Sequence, residues 1–223
     1  LDNEANGGNA DIAQGIQRVM ATALHALMLK CGGNDVDRFY LEGVVSDWGT
    51  QKRDGSATYA AIDDGVIPES IQTALPPALA EPWTNRTAQE FQVAMRICRL
   101  RGIEALQGMT SEYHRTRAAM IGAETAAEQE FPTTPTVWTP AMVVAEREQQ
   151  SQRIQPDEQF LIDGIEAAEL SFPLRAIEAV KEYGICRPLH RVSRLGKRLT
   201  GRDLEGWLAD MKRGKTLAAH ESA

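Results

Sequence analysis

The sequence predicts an all-α, multi-helix bundle with a flexible N-terminal arm, Pro-rich connectors and a basic C-terminal helical segment. Three observations carry this. Apolar residues recur at spacings of three and four in several windows, the period of one helical face. Capping residues or prolines stand before most of these windows, where free amides need a partner or are best removed. Strand-like alternation is confined to one short stretch. At 223 residues, the chain is long enough to bury a core without disulfides or metals.

Residues 1–10 are polar and Gly/Asn-rich and read as an arm. The segment has neither the basic nor the apolar region of a signal peptide. Asp11 is placed to cap the first helix. Its buried face is Ile12, Ile16, Val19, Met20, Ala23, Leu24, Leu27 and Met28, and Cys31-Gly32-Gly33 ends it, since glycine tolerates the left-handed terminal conformation. Asp35 is expected to cap a second helix reaching about Trp48. Residues 57–67, around Asp63-Asp64-Gly65, read as a small hairpin or a loop.

Pro76, Pro77 and Pro82 make 76–83 a connector. Thr87-Ala88-Gln89-Glu90 matches a capping box before a helix with Phe91, Ala94, Met95, Cys98, Ile103 and Leu106 inward. Thr110 or Ser111 starts another helix to about Glu130. Residues 131–140 form a Pro/Thr connector ending in Thr139-Pro140, an N-cap followed by proline. Short helices are expected near Pro140, Pro156, Pro173 and Pro188, and a last one over 201–211. The expected organisation is an arm (1–10), an acidic body (11–186, with a subdivision near 76–83 or 131–140) and a basic segment (187–223).

That division rests on charge. Residues 1–85 carry 5 basic against 12 acidic side chains, 86–186 carry 10 against 15, and 187–223 carry 9 against 4. Within the last segment Arg187, Arg191, Arg194 and Arg198 are spaced by four, three and four, so they share one helical face, flanked by Lys197. Lys212, Arg213 and Lys215 form a second basic cluster. Val192, Leu195 and Leu199 take the neighbouring face and are expected to dock the helix on the body. A row of guanidiniums suits phosphates, each offering a planar donor fork, and such a row holds a single strand through its backbone without reading bases. The same row also suits salt bridges to an acidic protein surface. Arg96, Arg99 and Arg101, with Arg115 and Arg117, are further basic residues on other helices.

The motifs of phosphate loops, dinucleotide folds, zinc proteases, serine hydrolases and calcium loops are absent. His25 lies in an apolar helical run and reads as a core residue. His114, His190 and His220 have no Cys or His at zinc spacing, and nothing supports a Cys98/His114 nucleophile pair. No catalytic residue, metal or cofactor is expected. Trp83 and Trp138 stand in connectors, where they anchor the connector or reach a neighbouring subunit. Three widely spaced cysteines point to a reducing setting, cytoplasmic or inside a virion, and no stretch is long and apolar enough for a membrane.

These readings converge on an expectation: a non-enzymatic, self-assembling helical protein of coat or nucleocapsid type. It would partner with itself, as oligomer or filament, and with nucleic acid independently of sequence. A DNA-binding regulator using the basic C-terminal helices and an enzyme with an unrecognised site are the alternatives.

Overall fold

The computed structural model describes residues 3–43, 65–77, 79–84, 87–168, 176–177, 179–180 and 182–200. The expected last helix at 201–211, the start near Pro173 and the cluster Lys212, Arg213 and Lys215 lie outside them. The protein is all-α, with seven α-helices among the described residues and two small strand pairs. It divides into two compact units, residues 1–170 and 171–223. The charge boundary at 186/187 falls inside the second unit.

The first helix, α1 (Asn3–Cys31), begins eight residues before Asp11, so the expected arm is largely helix. Its end follows the glycine reading. Gly33 sits at φ 82°, and the Asn34 amide donates to the Leu29 carbonyl at 3.1 Å. The expected second helix does not form at its start. Residues 34–38 are irregular, and a strand, β1 (Phe39–Gly43), follows. It pairs in parallel with β2 (Leu79–Thr84), Phe39 opposite Leu79 and Tyr40 opposite Ala80. Phe39-Tyr40-Leu41 favours a pleated, half-buried surface, and a partner strand from the Pro-rich connector outweighs the helical spacing. Between them stands α2 (Glu69–Ala74). Of the suggested hairpin, 57–64 lie outside the described residues, and Gly65 and Val66 are helical rather than extended.

The helix α3 (Thr87–Arg101) starts at Thr87 itself. A 3-10 turn (Glu112–His114) leads into α4 (Arg115–Glu128), close to the expected start at Ser111. β3 (Gln107–Met109) and β4 (Thr136–Trp138) flank α4 and pair in parallel. The second connector thus holds a strand. Parallel neighbours need a long crossover, and here the helix supplies it. Thr139 caps α5 (Pro140–Gln149), its hydroxyl accepting from the Met142 amide at 3.4 Å. α6 runs over Pro156–Ala167.

Two cores result. In one, Val19, Met20, Ala23 and Leu24 of α1 pack with Val143 and Val144 of α5 and Leu161, Ile162 and Ile165 of α6. In the other, Phe91, Met95 and Cys98 of α3 pack with Ala118 and Ile121 of α4, with Leu106 and with Val137. Gly122 permits the close approach of α4 to α3: a Cβ there would lie 2.8 Å from the Phe91 ring. Between α5 and α6 a buried ion pair pins the turn. Arg147 donates to both carboxylate oxygens of Glu158, at 2.9 and 2.7 Å, and to the carbonyls of Gln152 and Arg153. Glu158 also accepts the Gln155 amide at 2.7 Å.

In the second unit a π-helical turn (Glu182–Cys186) runs directly into α7 (Arg187–Thr200). Pro188 has no amide for the α-helical bond to Gly184, and the widened turn lies where that bond would fall.

Candidate nucleic-acid interface and a charged cleft

All four arginines of the predicted row lie on α7, each in different surroundings. Arg187 is half-buried. Its Nε lies 3.8 Å from a carboxylate oxygen of the fully buried Glu182, and its guanidinium stands 3.9 Å over the Tyr183 ring. It is therefore engaged within its own unit. Arg191 is exposed and Arg194 half-buried. Lys197 and Arg198 occupy helical positions, and their side chains lie outside the described residues.

The apolar side of α7, expected to be covered, is left open by its own unit. Val192 is 55% and Leu195 59% exposed, while His190 and Ser193 are buried. The helix rests on its small polar side and turns its apolar side outward. Ile177, Val180, Tyr183 and Ile185 in the same unit are exposed as well. The Leu199 side chain lies outside the described residues. A monomer rarely displays a contiguous apolar patch unless something docks there.

The first unit contains a cleft of about 900 Å³. It lies among α1, residues 34–40, the length of α3, residues 102–110 with β3, the start of α4 and the end of β4. Charged side chains line it. Arg18 of α1 donates to the Ser111 hydroxyl at 2.8 Å, and the Gln14 carbonyl oxygen accepts from Ser111 at 3.2 Å and from the Tyr113 hydroxyl. Arg117 of α4 bonds the His114 Nδ1 at 3.1 Å. Glu90 of α3 lies in the field of both arginines. Burial pushes its carboxyl pKa above the usual value, and the Arg117 and Arg18 charges only partly oppose the rise.

Flat side chains face the same space. Phe39, His25 and Trp138 line the cleft. The His25 and Trp138 rings meet at 4.4 Å, and His25 Nε2 bonds Gln107 Oε1 at 2.6 Å. His25 Nδ1 and Trp138 Nε1 are buried without hydrogen-bond partners. His25 is the core residue its apolar surroundings imply, and Trp138 packs on its own chain. The Trp83 side chain lies outside the described residues.

Of the other basic residues, Arg101 pairs with Asp37 at 3.0 Å and Arg115 donates to the Val137 carbonyl at 3.3 Å. Cys98 is buried, and burial, opposed by a backbone hydrogen bond and aided by Asp37, holds its thiol pKa up. That environment disfavours a thiolate. Among the described residues no three His, Cys, Asp or Glu are placed to hold a metal ion, and no helix is long and apolar enough to cross a membrane.

Sequence reasoning missed the cleft. Arg18 interrupts an apolar run, and Glu90 reads as a capping residue. Arg117 lies on another helix, so nothing in their spacing joins the three. No protein-family model, no curated protein and no solved structure matches the chain.

Proposed function

We propose that this chain is a non-enzymatic, self-assembling helical protein that binds nucleic acid through its phosphate backbone, in the manner of a coat or nucleocapsid subunit. One observation carries the reading. α7 shows two outward faces side by side, a cationic one with Arg191 and an apolar one with Val192 and Leu195. The apolar face serves subunit contact and the cationic face serves phosphates.

A second copy supplies a surface of suitable chemistry. On α6, Phe160 is 51% exposed, and the exposed Asp157 and Asp163 flank it three residues to either side. An apolar knob between two carboxylates complements an apolar stripe beside arginines. Contact between unlike surfaces of identical subunits is heterologous, and it propagates into rings or filaments.

The test combines particle size with salt dependence. Size-exclusion chromatography with an absorbance ratio should show large particles carrying nucleic acid. Changing Arg191 and Arg194 to Gln should lower the slope of log affinity against log salt by about 0.7–0.9 per lost phosphate contact. An unchanged slope with lower thermal stability would make the row an internal salt-bridge element. A discrete dimer bound to duplex DNA would favour the regulator reading instead.

A further inference from the structure

We propose that the cleft of the first unit holds one nucleotide of the bound strand, its phosphate against Arg18 and Arg117 and its base against the flat side chains of Phe39 and Trp138. This rests on the nucleic-acid reading above and adds a second, separate contact to it. A volume of about 900 Å³ is far larger than a packing defect and lies in the range of ligand sites, ~300–1,000 Å³. Its lining combines the two elements that hold a nucleotide without base reading, guanidinium forks and aromatic faces.

Both arginines are already oriented by the protein, Arg18 through Ser111 and Arg117 through His114. A guanidinium has five donors in a fixed fork, so it is held in place and grips a phosphate at once. Glu90 is the carboxylate on which both act. The other charges lining the cleft are Arg38, Arg101, Asp35, Asp37 and Glu104, of which Arg101 and Asp37 are paired with each other. Unmet hydrogen-bond demand occurs on the same walls, at His25 Nδ1 and Trp138 Nε1. In folded proteins such buried groups are normally satisfied.

The experiment uses the full chain and a uridine 12-mer carrying one 4-thiouridine, irradiated and mapped by mass spectrometry. The expected crosslinks fall in peptides containing 36–40, 87–94 or 105–110 and 137–138. In parallel, anisotropy of a fluorescein-labelled 12-mer is measured at pH 7. Arg117→Gln should weaken binding by about tenfold, the loss of a charged hydrogen bond, with its thermal melt confirming the fold. Glu90→Gln should tighten binding roughly threefold or more, because one unit of repulsion toward phosphate is removed. That gain cannot arise from misfolding. Crosslinks confined to 187–200, with both variants binding like the parent, overturn the cleft site and leave the α7 reading standing. No binding of the 12-mer at all overturns both.

Discussion

Arg147 and Glu158 show how one pair of side chains sets a local stability and its pH dependence. Their side chains are 3% and 10% exposed, so neither charge is compensated by water. Removing one partner strands the other. Arg147→Met should lower unfolding stability by about 3–5 kcal/mol, measured by urea titration. Burial alone pushes the Glu158 carboxyl up, but the Arg147 hydrogen bonds, the Gln155 amide and the Arg147 charge together hold it below the usual carboxylate range. A depressed folded pKa contributes stability that is present above the unfolded value, ~4.3. It is lost as pH falls through the folded value. Glu158→Gln should abolish that acid-side slope.

Glu90 has the opposite sign. Its raised folded pKa means that ionisation costs stability at neutral pH, and the cost disappears as pH falls through the folded value to the unfolded one. Glu90→Gln should therefore raise the melting temperature at pH 7 and leave it unchanged near pH 3. In the sequence Glu90 is legible only as a capping-box residue, and Glu158 stands unmarked in the helix that starts near Pro156. Which one is tied to a guanidinium and which merely lies near two depends on tertiary placement that spacing does not contain.

The elements divide by how local their causes are. Thr139-Pro140 and the glycines after Cys31 act within one turn of chain, and the structure follows them. β1 and β2 need each other across some forty residues, so helical spacing near Asp35 misleads. Close helix approach is equally invisible in sequence. Gly122 reads as a weak point in α4, yet Phe91 fills the space a side chain would need. Gly122→Val should destabilise by about 1–3 kcal/mol through overpacking, seen as a lower denaturant midpoint at unchanged slope. In α7 the sequence identified an amphipathic helix, and the side it assigned to the interior is left open by its own unit at Val192 and Leu195. Periodicity tells which residues share a face; it does not tell which face is covered. With Leu195 exposed, Leu195→Gln should leave the melt of the isolated subunit within about 0.5 kcal/mol and reduce particle formation in sedimentation. A large loss of subunit stability would restore the buried assignment.

For the whole molecule, sequence separation matters as much as burial. The Gln17 side chain donates to the Ile165 carbonyl, 148 residues away, and the apolar face of α1 is covered by α5 and α6. During synthesis α1 thus leaves the ribosome long before α5 and α6, which complete the cover begun by Ile67, Ile71 and Leu75. At roughly 5–20 residues per second, that face waits about 7–30 s while the intervening chain is made. A nascent chain arrested before Pro140 should accordingly recruit hydrophobic-segment chaperones, and one arrested well beyond Ala167 should release them. If the chain self-assembles as proposed above, that assembly is subject to the same timetable, since an incompletely covered α1 on one ribosome is a docking face for its neighbour on the next.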